Sequence, residues 1–315
     1  KKQEDKIIIP VKKISKKIKS KIKSKFPGSE FIKADFKKRD IKKTYKDILI
    51  NKIDKKNLNC LPSSYDIIGD IIIIKIPETV KSYKKEIGNA LLKTHKNINT
   101  VLEKSDIHKG EFRTQDLDHL AGEKKKETLY KENNAVFKLD VEKVYFSVRL
   151  ASERKRIYKQ VKPGENILVM FSGIAVYPIV ISKNSNAESI TAIEKNPAAQ
   201  EYAEKNLKLN RTKNIKLYLG DVRDVIPELD KKFDRILMPL PKTGENFLDL
   251  ALSVSKKGTI IHFYDFEHET EFDKGKQKVK EACKESGINC KIIDLVACGQ
   301  YAPGKYRICI DFKII

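Results

Sequence analysis

The chain is short of the side chains that build metal and redox centres. Its five histidines show no ligand spacing, and its five cysteines (Cys60, Cys283, Cys290, Cys298, Cys309) contain no C-x-x-C pair. No metal is therefore expected, and the thiols read as reduced and mostly buried, as in a cytoplasmic protein. No apolar run is long enough to span a bilayer, no signal-peptide pattern is visible, and there is no internal repeat. Acid is scarce relative to base: Asp and Glu number 43 against 65 Lys and Arg, a formal net charge of +22. That excess favours a polyanionic partner, whether RNA, DNA or an acidic membrane face. Lys and Ile are abundant along the whole chain, so the charge is suggestive rather than specific. The 315 residues suffice for two domains and a sizeable core.

What the chain does have is organised around residues 166–196, NILVMFSGIAVYPIVISKNSNAESITAIEKN. Ile167 to Phe171 read as a buried strand, Ser172-Gly173 as a turn, and residues 176–182 as a helix. A second strand, residues 189–193, ends on Glu194. Strand, small-residue turn, helix, strand and acid open a nucleoside-binding doubly wound α/β fold. The turn lets backbone approach a ligand, and the acid accepts from both ribose hydroxyls. The turn carries Gly173 and then Ala175 rather than G-x-G-x-x-G, so an α/β core without a nucleoside fits the same stretch.

Residues 11–25 hold eight lysines and no acid. Ile14, Ile18, Ile22 and Phe26 recur every four residues, which predicts a helix with one apolar stripe and a basic face, or else a disordered tail. RNA contact or disorder is favoured over membrane, because nothing else points to lipid. Residues 40–54 predict a helix, and 65–76 a strand pair or one strand bent at Gly69. A helix over 78–93 and a strand over 100–103 complete a small α+β module. A hairpin is predicted around Asn133-Asn134. Residues 144–157 run from a strand end into a helix bearing Arg149, Glu153, Arg154 and Arg156. That cluster reads as a solvated salt-bridged face, or as a functional one because it immediately precedes the nucleoside-binding unit.

After Glu194 comes a helix with Pro197 in its first turn, over residues 197–210. A third strand, 215–219, ends in Gly220-Asp221-Val222-Arg223, where Asp221 can accept from an adenine amino group. A fourth, 233–238, ends in Pro239-Leu240-Pro241. Gly173, Glu194, Asp221 and Pro239 thus fall at the carboxyl ends of strands, where open α/β sheets bind ligands. Strands over 259–264, 290–296 and 306–312 make a seven-strand sheet whose last pair can be antiparallel. The expected divisions are a basic segment 1–30, a small module 31–134 and a nucleoside-binding domain 135–315.

Several motifs now carry a resemblance: GEFR (110–113), HLAGE (119–123), VYFS-x-RL-x-x-ER (144–154), MF-x-G (170–173), AIEKNP (192–197), GDVR (220–223), M-x-LPK (238–242) and YAPG (301–304). From about Tyr65 to Phe312 the chain resembles the archaeal and eukaryotic tRNA (guanine-37, N1)-methyltransferases and their relatives in wyosine synthesis. The resemblance implies a Rossmann-type class I methyltransferase domain holding S-adenosylmethionine, preceded by an RNA-binding module. Arg113 then matches an arginine on the guanine carbonyl oxygen, and Glu153 a proposed general base. Arg154, Phe171, Gly173, Glu194, Lys195, Asp221, Val222 and Pro239 fall at cofactor positions. Tyr145, Arg149 and Pro241 fall at the target base. The implied partner is the anticodon loop of tRNA, position 37, served by a monomer with no membrane attachment.

Three departures stand out. The acid that commonly ends the first strand is Val169, and the turn's second glycine is Ala175. The family's Asn-Leu-Pro is Pro239-Leu240-Pro241, and relatives that transfer the aminocarboxypropyl group also depart from Asn there. The separate N-terminal domain of some members is absent or reduced to the basic segment. Methylation of guanosine 37 is the leading expectation. The alternatives are a wyosine-pathway transferase and a non-catalytic tRNA-binding relative.

Overall fold

The structure, a computed structural model, describes residues 14–33, 43–104 and 114–315, together with 2, 3, 6, 7, 9, 11, 110 and 112. It divides into two units, Lys1–Lys43 and Thr44–Ile315. In the first, the Ser15 side chain accepts from the Ile18 N–H and starts helix α1 (Lys16–Lys25). No residue of α1 is buried; Ile18 on its apolar stripe is exposed and Ile22 half-buried. Lys19 stands 5.3 Å above the Phe31 ring.

In the second unit, a capping box between Thr44 and Asp47 begins α2 (Tyr45–Leu49). The helix predicted over 40–54 is shorter: 40–42 lie outside the described residues, and the chain turns at Ile50. Strands β1 (Asp66–Ile68) and β2 (Ile71–Ile74) pair antiparallel, so residues 65–76 form the strand pair rather than one bent strand. Gly69 between them has φ +58°, and an added Cβ would lie 2.4 Å from the Leu129 carbonyl oxygen. A 3₁₀ turn then leads into α3 (Lys84–Thr94). Strands β3 (Thr100–Lys104) and β4 (Leu117–Gly122) complete a sheet of order β1-β2-β3-β4. Ile87, Ala90 and Leu91, three and four residues apart on α3, pack on Ile72, Ile74, Val101 and Leu120.

The predicted hairpin is present as β5 (Glu127–Glu132) and β6 (Ala135–Asp140). Asn133 and Asn134 both take positive φ at its tip, as tight hairpin turns require. The division expected after residue 134 therefore falls in the middle of a two-stranded ladder. Phe137 and Leu139 join one core with Ile68, Ile71 and Leu102 of the small sheet and with Ile174, Ile179 and Val180 beyond.

Helix α4 (Ala151–Tyr158) leads into the large sheet. Its elements follow in order: β7 (Asn166–Val169), α5 (Val176–Asn184), β8 (Ser189–Glu194), α6 (Pro197–Asn210) and β9 (Ile215–Leu219). Then come α7 (Val222–Glu228), β10 (Phe233–Met238), α8 (Leu248–Ser253), β11 (Ser255–His268), α9 (Asp273–Glu285), β12 (Cys290–Ala302) and β13 (Lys305–Ile314). Among the described residues the sheet has seven strands in the order β9-β8-β7-β10-β11-β13-β12. The first five run parallel, and β13 is antiparallel to both its neighbours, as the sequence suggested. Period-two alternation sorts each strand. Leu168, Ile236, Met238, Phe263 and Ile310 face the core under α7, α8 and α9. Ile167, Val169, Leu237, Tyr264 and Cys309 face α4 and α5. The last three strands run further than the apolar pattern reached, because their extensions carry polar residues such as Asp265, Glu267 and Gln300. No helix of the described residues is long and apolar enough to cross a membrane.

Asn206, fully buried on α6, ties the hairpin to this domain: Oδ1 accepts from the Lys138 N–H at 2.7 Å, and Nδ2 donates to the Lys138 carbonyl at 3.1 Å. Asn206→Ala leaves both backbone groups unpaired and is expected to lower stability by about 3 kcal/mol. Denaturant unfolding measures this, and an unchanged midpoint would show that the hairpin does not depend on the contact.

Candidate active site

The turn after β7 is built from left-handed backbone. Phe171, Gly173 and Ala175 have φ of 55°, 56° and 63°. For a residue with a Cβ this conformation costs roughly 1–2 kcal/mol, and the burial of Ala175 among Ile174, Val176 and Ile179 offsets it. The turn is stitched to its neighbours by backbone: the Ser172 N–H donates to the Ile193 carbonyl, and the Gly220 N–H to the Glu194 carbonyl, both at 2.9 Å. Glu194 closes the same turn with its side chain. Oε2 accepts from the Gly173 N–H at 2.6 Å and Oε1 from the Asn196 N–H at 2.8 Å. Burial raises the Glu194 carboxyl above its ordinary range, while the amides of Asn196, Gly173 and Lys195 oppose the rise.

The cofactor positions expected from the sequence gather on this rim. Asp221 caps α7, accepting from the Arg223 N–H at 2.9 Å, and pairs with Lys195 at 3.1 Å. Burial pushes its carboxyl up, but the Arg223 amide and the Lys195 ammonium outweigh it and hold it below the usual range. Val222 is buried behind it. Phe171 packs edge-on against Phe247 at 5.0 Å, with the Arg223 guanidinium over that ring. Pro239 and Pro241 follow β10, Pro239 half-buried and Pro241 buried.

A nucleoside fits the residues present. A Cβ added at Gly173 would meet nothing within 4 Å, which leaves open space directly on the turn. The Ser172 Oγ is buried without a hydrogen-bond partner. The Glu194 carboxylate accepts from these amides and keeps acceptor capacity for a ribose hydroxyl.

Glu153 and its neighbours sit on α4. Glu153 is 5 % exposed. Its Oε1 accepts from the Tyr264 hydroxyl at 2.7 Å and from Arg156 Nη2 at 2.7 Å, and its Oε2 accepts from Arg156 Nε at 2.7 Å. Tyr264 lies one residue past Phe263, the β11 partner of Met238, so this cluster stands level with the carboxyl end of β10. The Tyr264 hydroxyl also meets that of Tyr177, in the first turn of α5, at 2.9 Å. Tyr177 thereby links Glu153 to the helix that leaves the cofactor turn.

The structure gives Arg154 a different setting from the one its motif suggested. It is buried, forks onto Glu132 of β5 and donates to the Ser147 carbonyl at 3.0 Å. Arg149 reaches Asp66 of β1 at 2.9 Å. The Tyr145 hydroxyl accepts from Arg307 Nη2 at 2.9 Å. Arg113 lies outside the described residues. Sequence reasoning missed Tyr264, Tyr177 and Asp311, although His262 and Tyr264 at alternate positions of an otherwise apolar strand were a usable signal. Donor atoms of His262, Cys309 and Asp311 lie within 4.8 Å of one another. Arg235 and Arg156 flank that cluster at hydrogen-bond distance, an unfavourable setting for a cation.

The strand order, the reversed seventh strand and the nucleoside cradle define a Rossmann-type protein of the class I methyltransferase architecture. Comparison narrows the class. Residues 128–293 match the TRM5/TYW2 methyltransferase domain, and residues 45–125 the TYW2 N-terminal domain. The chain belongs to the TRM5/TYW2 methyltransferase family. It is 39% identical over 294 residues to the tRNA (guanine(37)-N(1))-methyltransferase Trm5b of Pyrococcus abyssi, covering 92% of this chain and 87% of that one. It is 31% identical to the tRNA(Phe) (4-demethylwyosine(37)-C(7)) aminocarboxypropyltransferase of Pyrococcus horikoshii, covering 87% and 97%. The solved complex of aTrm5 and tRNALeu superposes with a TM-score of 0.77 at 33% identity, covering 97% of this chain and 88% of that one. Methanocaldococcus jannaschii Trm5 in complex with adenosine superposes at 0.72, also at 33% identity, covering 97% and 87%.

Gly173→Ala places a methyl group in the open cradle. It is expected to leave the protein folded while weakening S-adenosylmethionine by about tenfold, ~1.4 kcal/mol. Titration calorimetry reads this directly, and undiminished affinity would remove the turn from the binding site.

Proposed function

We propose that this protein transfers the methyl group of S-adenosylmethionine to N1 of guanosine 37 in tRNA. The observation that carries the reading is the setting of Glu153. It is a buried carboxylate on the strand-end rim whose Oε1 accepts from both Arg156 Nη2 and the Tyr264 hydroxyl and whose Oε2 accepts from Arg156 Nε, with the Cys298 thiol also against the carboxylate. Guanine N1 bears a hydrogen and is a poor nucleophile, so methylation there needs a base that removes the proton as the new bond forms. The Glu153 carboxylate is the group available for it. Negative charge then builds on the neighbouring carbonyl oxygen, and the resemblance assigns Arg113 to stabilise it. When bound, S-adenosylmethionine supplies a methyl group already activated by its sulfonium. The residues of this chain mainly orient: the Phe171–Gly173 turn, Glu194, Lys195, Asp221, Val222 and Pro239 hold the nucleoside end, with Arg154 bracing α4 from behind.

Tyr145, Arg149 and Pro241 are assigned to the target base, and the lysine excess to the RNA backbone. The base must leave its stack, which is easiest in the single-stranded anticodon loop. The small module as tRNA-binding unit, a monomeric state and a cytoplasmic location complete the proposal. Pro239 favours one second reading. A proline there offers neither a side-chain donor nor an N–H, as befits the aminocarboxypropyl branch, whose Pyrococcus horikoshii member is a relative.

Mass spectrometry of nucleosides from unmodified tRNA, and in parallel from tRNA carrying a wyosine intermediate at position 37, each incubated with the protein and S-adenosylmethionine, separates the readings. 1-Methylguanosine is the expected product. An aminocarboxypropyl adduct on a wyosine intermediate would replace the proposal with its rival, and tRNA binding without any product would leave a non-catalytic protein. Glu153→Gln is expected to slow single-turnover methylation by about 10²-fold or more with nearly unchanged cofactor affinity. Undiminished turnover would exclude Glu153 as the base.

A further inference from the structure

Behind Glu153 a line of paired charges crosses the α4 face of the sheet. Arg156 grips Glu153 with Nε and Nη2 and grips Asp311 of β13 with Nη1 at 2.5 Å and Nη2 at 3.2 Å. Asp311 Oδ1 meets His262 Nδ1 at 2.7 Å, directly opposite in the β11–β13 ladder. His262 Nε2 meets Arg235 Nη1 at 2.7 Å, and Arg235 forks onto Glu165. Arginine only donates, so Nε2 must accept and the His262 proton sits on Nδ1, donated to Asp311. The imidazole is therefore neutral, in keeping with burial, which lowers its affinity for a second proton. Burial also pushes the Asp311 carboxyl up, but His262 and Arg156 outweigh it and hold it well below the usual range.

One arginine thus serves two carboxylates. Were Arg156 paired with Glu153 alone, its full charge would stabilise the ionised base and weaken it as a proton acceptor. Asp311 takes a share of that charge and leaves the three-group unit with a net charge of −1. The other titratable groups facing Glu153 do not supply this. Burial pushes the phenols of Tyr264 and Tyr177 and the thiols of Cys298 and Cys309 upward, so all four stay neutral. Arg307 is turned to the Tyr145 hydroxyl, and Arg154 to Glu132.

We propose that Asp311 is a positioning residue for proton abstraction: through Arg156 it holds Glu153 in place and sets its strength as a base. This rests on the methyltransferase reading above. Asp311→Asn gives Arg156 wholly to Glu153, so the base becomes weaker. The single-turnover rate should fall by about threefold to tenfold, and the acid limb of its pH profile should move to lower pH. Arg156→Gln removes the cation and should move that limb to higher pH. In a Glu153→Gln background, Asp311→Asn should cause no further loss. A purely structural role would instead give the same loss in both backgrounds, and that result would overturn the proposal. So would acid limbs of both variants that coincide with that of an active wild type. If Asp311→Asn does not fold, the shift in Arg156→Gln decides. If the wild type makes no methylated product, the function fails rather than this inference. Carbon NMR titration of the Glu153 carboxyl then reads the same opposed shifts without turnover, and equal midpoints in wild type and both variants would refute it.

Discussion

A charge buried in protein is tolerated only when it is paired and hydrogen-bonded, and the α4 face of this sheet holds four of them, Glu153, Asp311, Arg235 and Glu165, in one line with the half-buried Arg156. The neutral His262 bridges the gap between Asp311 and Arg235. No link can be removed without stranding its neighbour, at a cost of about 3–5 kcal/mol for a broken buried pair. Arg235 and His262 are wholly buried and Asp311 is 2 % exposed, so water cannot replace a lost partner cheaply. The line joins α4 to β10, β11 and β13 and ends at Glu165, just before β7. It therefore fixes the height of Glu153 above the same strands whose ends form the cofactor rim. A hydrophobic contact could hold the helix as firmly, but it would not also orient the Glu153 carboxylate.

The rim itself is held by backbone rather than by charge. Parallel strands β7, β8 and β9 end together, and each carboxyl end is tied to the next by an amide of the following turn. The left-handed residues Phe171, Gly173 and Ala175 shape the turn so that the Gly173 amide meets Glu194, while the Ala175 amide donates to the Ser172 carbonyl at 3.1 Å. Strain of this kind persists where surrounding packing over-determines it, and α5 supplies that packing with six consecutive buried residues from Val176 to Ile181. The Tyr177 hydroxyl, on the same helix, meets Tyr264 and so reaches Glu153. The rim and Glu153 are thus tied to one helix start.

Much of this was legible in the sequence because local pattern decides it. The apolar runs of β7, β8 and β10, the acid after β8 and the Asn133-Asn134 turn each depend on residues a few positions apart. The buried line was not legible, because its members are distant: Arg156 and Asp311 are 155 residues apart, and Arg235 and Glu165 are 70. The same limit applied to Arg154. Its motif placed it at the cofactor, and the hairpin brings Glu132 onto its Nε and Nη2. Strand β4 was missed because it carries exposed Asp118 and His119 between buried residues and sits at a sheet edge. The sequence also could not show that β6, beyond the division drawn at residue 134, pairs with β5 and is bonded through Val136 and Lys138 to Asn210 and Asn206 of α6.

The Pro239-Leu240-Pro241 segment stands apart from the rest of the rim. Elsewhere the strand ends present amides or carboxylates, while here the Leu240 N–H is turned back to the Met238 carbonyl at 2.7 Å and the prolines have none. The segment can therefore act on a ligand through shape and through carbonyl oxygens, and not through donated hydrogen bonds. The sulfonium of S-adenosylmethionine bears three carbons open to attack, and the one transferred is the one that faces the nucleophile in line. A pair of prolines with fixed φ can impose that orientation by exclusion, without the side-chain amide that the family commonly uses. Under the proposed function, the choice of transferred group would then rest on the distance and direction between this rigid segment and Glu153, whose place the line of charges sets from the other side.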